Sequence, residues 1–164
     1  MNNFEHEVEE LVAKYAVKLN LGTLPNSAKH HDNLAELNRS KKKASYLPYP
    51  SFERSNQGYR TKHKADFKIY PPDYPSGILI ECKYQKVSGS ADQKVLSAAL
   101  LYSMQDIPTI IVMNDDFNCS KNLQYDLKGA YRDSNDTVKL MNLTEFKHAL
   151  KVLFKQHKKT PQLV

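Results

Sequence analysis

The residues best placed to do chemistry are Glu81 and Lys83, which bracket Cys82 at the end of the apolar run Ile78-Leu79-Ile80. Side chains alternate along a strand, so Glu81 and Lys83 share one face with Cα atoms about 6.6 Å apart, while Cys82 points the other way. A carboxylate and an ammonium set there are costly unless paired or used. Asp66 supplies a partner. The intervening Pro71-Pro72-Asp73-Tyr74-Pro75-Ser76-Gly77 is saturated with turn formers. A turn centred between Asp73 and Tyr74 sets Asp66 opposite Glu81, with Cβ atoms about 5 Å apart. Two carboxylates with water suit Mg²⁺, with Mn²⁺ as a substitute. Lys83 could then orient or deprotonate an attacking water, or stabilise charge growing on a phosphate. The bland alternative is an ion-pair cluster on the surface of a DNA-binding or structural module.

The elements that must position these groups can be read from periodicity. Phe4, Val8, Leu11, Val12, Tyr15 and Leu19 recur at helical spacing, which predicts an amphipathic helix over 3–19 with Asn2 or Asn3 as N-cap. Over 21–60 periodicity fails and Gly, Pro, Ser, Asn and basic residues accumulate, so this stretch reads as a long basic loop or insertion, with room for a short helix over 32–43. Ala65–Tyr70 and Ile78–Lys83 read as a hairpin. After the Ser88-Gly89-Ser90 break, 91–104 reads as a helix and Thr109–Met113 as a short buried strand. A helix over 123–131 is possible on pattern, and one over 143–157 is expected, with a fraying tail. The whole reads as an α/β domain of 1–164: a mixed central sheet of about four strands flanked by helices, its hairpin, helix and strand at 65–113.

Composition narrows the class. At 164 residues, 40% hydrophobic and 26% charged, the chain can bury one sizeable core. No apolar run spans a bilayer and the acidic opening Met1–Glu10 does not resemble a signal peptide, so no membrane association and a cytoplasmic location are expected. Cys82 and Cys119 lack metal-ligand spacing, and the six histidines, including His30-His31, form no such cluster. There is no Gly-x-Ser-x-Gly elbow, P-loop or dinucleotide fingerprint. The net charge of +6 is uneven, with basic residues crowding 29–68 among Tyr46, Tyr49, Phe52 and Tyr59. Such a segment suits a phosphate backbone, and Lys41, Lys42, Lys43, Arg54, Arg60, Lys62, His63 and Lys64 are its candidate DNA contacts. A solvated basic loop is the competing reading.

Asp66, fourteen intervening residues and then Glu81-Cys82-Lys83 resembles the PD-(D/E)XK nuclease superfamily. The resemblance covers Ala65 to about Met113 and, more loosely, the first helix. It implies a restriction-endonuclease-like core, with the Asp and the Glu-x-Lys on adjacent strands. The literal Pro72-Asp73 is a poorer match, because Asp73 at the turn tip lies roughly 26 Å along an extended strand from Glu81. Relatives often add a Glu from the first helix to the metal site. Helical phase favours Glu5, beside the Phe4/Val8/Val12 stripe, with Glu9 in reserve and Glu10 almost opposite. Glu5 as an ordinary acid at a helix N-terminus is the alternative. In one subset of the family, polar residues after the Gly-Ser turn back up the lysine or touch phosphate. That makes Gln93 an accessory catalytic candidate and Lys94 a further DNA contact, against a solvated first helical turn.

The resemblance thus implies a Mg²⁺-dependent DNA endonuclease, with Asp66, Glu81 and Glu5 as metal ligands and Lys83 completing the centre. A restriction-type or phage/mobile-element enzyme acting as a homodimer is favoured over a Holliday junction resolvase, and an RNA nuclease is the remaining variant. Neither the recognised site nor the cleavage pattern is encoded in any motif.

Overall fold

The computed structural model describes residues 3–19, 44–56, 59–74, 76–85, 90–103, 107–117 and 137–155, with side chains described outside 51–63 and 90–92. In chain order the elements are α1 (Asn3–Ala13), β1 (Val17–Lys18), β2 (Ser45–Pro48), β3 (Ser51–Asn56), β4 (Tyr59–Lys64), β5 (Phe67–Tyr70) and β6 (Ile78–Lys83). They continue with α2 (Ser90–Ser103), β7 (Thr109–Met113), β8 (Val138–Asn142) and α3 (Leu143–Leu153). Among the described residues six strands make one sheet in the order β1-β2-β5-β6-β7-β8, and β3 and β4 form a separate two-stranded sheet. The β2–β5–β6 pairings are antiparallel and the β1–β2 and β6–β7–β8 pairings parallel, so the expected mixed sheet is present, extended at both edges.

The centre of the sheet follows from the sequence pattern. In the β5–β6 hairpin Phe67 faces Ile80, Lys68 faces Leu79 and Ile69 faces Ile78. Carried on by one residue, that register sets Asp66 against Glu81, as alternation and turn position had implied. The turn closes through Tyr74 N–H to Pro71 O and Gly77 N–H to Tyr74 O. Gly77 adopts φ 78°, and a Cβ there would stand 2.8 Å from Lys68 Cε, so both conformation and space call for glycine.

Helices cover both faces. Phe67, Ile69, Ile78, Ile80, Cys82, Ile110 and Val112 pack with Phe4, Val8 and Val12 of α1 and Phe146 and Leu150 of α3. Leu79, Ile111 and Met113 pack on the other side with Val95, Ala98, Ala99 and Tyr102 of α2. Cys82 belongs to the first layer, which leaves Glu81 and Lys83 turned toward α2. A capping box between Asn142 and Glu145 starts α3. Asp115, just beyond β7, accepts from the N–H and hydroxyl of Thr144 in its first turn.

Three expectations need correction. The first helix ends at Ala13 rather than running to residue 19. Val17 and Leu19 donate backbone hydrogen bonds to Ala44 and Tyr46 instead, and Tyr15 stacks on Phe154. A sheet edge formed with residues distant in sequence overrides local periodicity. Second, the stretch 21–60 is not all loop, since it contains β2, β3 and the start of β4. The sequences of β3 and β4, SFERSN and YRTKHK, offer almost no apolar alternation to read; backbone pairing makes this hairpin. Third, β8 was not foreseen. The possible helices over 32–43 and 123–131 lie outside the described residues.

Candidate active site

Asp66 lies in the link between β4 and β5, and the chain on either side is zipped to the β2–β3 turn. Tyr49 N–H donates to Asp66 O at 2.9 Å and Ala65 N–H to Pro50 O at 3.2 Å. The Asp66 carboxylate is fixed from the neighbouring strand, where Cys82 N–H donates to Oδ2 at 2.7 Å. Glu81 is held at both oxygens. Lys83 Nζ donates to Oε1, and Tyr102 O–H donates to Oε2 at 2.8 Å. Only 13% of the Glu81 side chain and 29% of the Lys83 side chain are exposed, so this is a recessed group and not a solvated surface pair.

The electrostatics mark the two acids as close neighbours. Burial pushes the Asp66 carboxyl up to about 6, and the charge of Glu81 adds to the effect; the Cys82 N–H and Lys83 only partly offset it. An acid destabilised by burial and a second acid is one that a cation would relieve. The thiol of Cys82 is raised, first by burial and then by the charges of Asp66 and Glu81, and is inert as a nucleophile.

Glu81 and Lys83 open into a cleft of about 660 Å³, whose polar lining includes Lys64, Gln93, Lys94 and Tyr102. The candidates Lys64, Gln93 and Lys94 are thus brought to the Glu-x-Lys end. Tyr102 was missed by sequence reasoning, although a signal existed. It lies eight residues beyond Lys94, so it falls on the same helical row, and a tyrosine hydroxyl in an apolar face needs a polar partner.

Of the helix acids Glu5, Glu9 and Glu10, Glu9 departs from its phase. Glu5 is half-buried, and its charge reaches Asp66. Glu9, which phase placed further from the stripe, is buried at 8% exposure. Its Oε1 accepts from Lys18 Nζ at 2.7 Å and Tyr46 O–H at 3.0 Å. Glu10 pairs with His6 on the surface at 3.5 Å. Among the described residues no group of three or more His, Cys, Asp or Glu is gathered closely enough to hold an ion. The acids at the hairpin end therefore stand as a pair, with Glu5 further out. Asp73 is exposed on the turn. The backbones of Arg54, Arg60, Lys62 and His63 lie on the β3–β4 hairpin, while their side chains and all of Lys41, Lys42 and Lys43 lie outside the described residues.

A mixed sheet carrying an Asp opposite a Glu-x-Lys, with lysines around an adjoining cleft, is the architecture of a phosphodiester-cleaving nuclease core. The chain belongs to the PD-(D/E)XK nuclease superfamily, whose domain model matches residues 12–156. That match begins after Glu5 and Glu9 and includes Asp66, Glu81 and Lys83. Nucleases of this superfamily generally use divalent metal ions. No curated protein matches the chain significantly. Among solved structures, protein VC1899 from Vibrio cholerae aligns with a TM-score of 0.39 and 14% identity, covering 75% of this chain and 32% of that one. No helix among the described residues is long and apolar enough to cross a membrane.

Proposed function

We propose that the protein is a metal-dependent DNA endonuclease of restriction or phage/mobile-element type, with Asp66, Glu81 and Lys83 at its centre. The observation that carries the reading is the pairing of two recessed carboxylates beside an ammonium at the mouth of a lysine-lined cleft. Their donor chemistry fits Mg²⁺, or Mn²⁺ in its place: Asp66 and Glu81 would supply the hard carboxylate oxygens that such an ion takes. When bound there, the ion supplies charge neutralisation for the phosphate and a more acidic water.

The chain's own groups do the rest. Cys82 N–H and Tyr102 O–H fix the directions of Asp66 and Glu81, so little reorganisation accompanies binding. Lys83, the partner of Glu81, is placed to stabilise the charge that grows on the phosphate oxygens as water attacks phosphorus and the bond to the leaving oxygen breaks. Lys64 and Lys94 hold flanking phosphates, with the β3–β4 hairpin and the segment around Lys41–Lys43 extending the contact along the backbone. Glu5 would add a further carboxylate for the ion, and Gln93 would orient Lys83 or a phosphate. Cleavage of both strands calls for two centres, hence a homodimer, acting in the cytoplasm.

The test is incubation of wild type and Asp66→Ala with supercoiled plasmid, a four-way junction and RNA, in Mg²⁺ and in EDTA. Wild type is expected to nick and linearise plasmid in Mg²⁺ only, and the variant to do nothing. Junction-selective or RNA-only cleavage moves the assignment to a resolvase or ribonuclease. Equal DNA retardation by both proteins without cleavage identifies a binding module and overturns it.

A further inference from the structure

Tyr49 stands beside Asp66 in a conformation that its side chain does not favour. It is the one non-glycine among the described residues with positive φ, at 51°. Bulky residues avoid that region. The following Pro50 adds its own bias toward extended backbone, so the conformation is costly twice over. Proline on both sides, at 48 and 50, limits the ways in which the chain can relax. The strain is retained although the residue is 42% exposed and so contributes little to the core. The backbone N–H of Tyr49 is bonded to Asp66 O, so the residue that bears the ring is fastened next to that acid. An aromatic side chain kept strained, exposed and tied to a candidate catalytic residue is a pattern that recurs at ligand clamps.

Its surroundings narrow what the ring can meet. Among the described residues the charges of Glu5, Asp66 and Glu9 act on its hydroxyl, opposed by Lys18. A tyrosine ring carries no cation to hold a phosphate, whereas its face can stack on any base. Tyr49 is not among the residues that line the lysine-rich cleft into which Glu81 and Lys83 open. We propose that Tyr49 is a specificity-determining residue whose ring stacks on an unpaired nucleobase flanking the phosphate to be cut, so that the substrate carries a single-stranded or locally opened nucleotide at that point. This rests on the nuclease reading above.

The experiment uses fluorescein-labelled single-stranded oligonucleotides, intact or with one abasic position moved along the strand. Wild type, Tyr49→Phe, Tyr49→Asn and Tyr49→Gly are compared by anisotropy in EDTA and by kcat and KM in Mg²⁺. Gly and Asn tolerate positive φ, so both are expected to keep or raise Tm while weakening Kd and KM about tenfold. Phe is expected to bind as wild type does. Wild type should lose about tenfold at one abasic position, and Tyr49→Gly should lose nothing further there. The proposal is overturned if the Gly variant binds and cleaves as wild type does, if it binds weakly only because its Tm has fallen, or if wild type ignores every abasic position. Tyr49-dependent binding without any cleavage retains the stacking contact and removes the nuclease reading; cleavage indifferent to Tyr49 does the reverse.

Discussion

Two parts of this molecule assemble the same three side chains, a glutamate, a lysine and a buried tyrosine hydroxyl, yet they end in different states. At the sheet edge Glu9 accepts from Lys18 and Tyr46. At the hairpin end Glu81 accepts from Lys83 and Tyr102. Burial works against the Glu9 charge, but the Lys18 and Tyr46 hydrogen bonds overcome it and hold the carboxyl below its usual range. Beside Glu81 stands a second acid, Asp66, which burial first and the Glu81 charge second drive up to about 6. The first cluster is self-satisfied and joins α1 to the β1–β2 edge. The second sets two carboxylates, Asp66 and Glu81, beside one lysine, Lys83. Surplus negative charge, and not the presence of Glu, Lys and Tyr, separates a site from a brace.

The largest expected effect breaks that contrast at the chemistry. Asp66→Ala or Glu81→Ala should abolish cleavage, and Lys83→Ala should lower kcat about 10²- to 10³-fold. Glu9→Gln should leave kcat within about twofold while lowering stability by about 1 kcal/mol in urea titrations, as a buried carboxylate loses its charge opposite a half-exposed lysine. Equal losses of activity at Glu9 and Glu81 would make the two clusters one site.

Next in size is Tyr102→Phe, which removes one hydrogen bond from Glu81 without emptying the core. It should reduce kcat and divalent-ion affinity about 10- to 100-fold with little change in Tm. An unaltered Mn²⁺ affinity would reduce Tyr102 to a packing residue.

The smallest effect is read as stability against pH, in EDTA. Asp66 has its folded pKa raised from 3.8 to about 6, so the folded state binds the proton more tightly than the unfolded one. Its favourable contribution is complete below about pH 4 and is lost as pH rises through about 6. Asp66→Asn should therefore be more stable than wild type at pH 7 by about 1–2 kcal/mol, after discounting for solvent screening, and the gap should close by pH 4. Glu9 runs the opposite way: its lowered pKa gives stability above 4.5 that disappears as acid is added.

What could be read from the chain beforehand was local and alternating. The β5–β6 register was legible because turn residues and apolar alternation agree on it, and with it came the shared face of Glu81 and Lys83. What escaped was made by long-range pairing. The β1–β2 contact unites Val17 and Lys18 with Ser45 and Tyr46 across a basic stretch without periodicity. The burial of Glu9 depends on that contact, since Lys18 and Tyr46 exist as its partners only once the edge has formed. Tyr102 escaped for a milder reason: a hydroxyl on an apolar helix face announces a need for a partner and does not name it.

The central claim is that the acid pair is poised for a divalent cation, and Mn²⁺ binding in the absence of DNA tests it most directly. Electron paramagnetic resonance titration of wild type, Asp66→Asn and Glu9→Gln is expected to show tight uptake of Mn²⁺ by wild type and Glu9→Gln, and its loss in Asp66→Asn. Uptake that survives Asp66→Asn, or no uptake by wild type at any concentration that supports cleavage, would contradict the account.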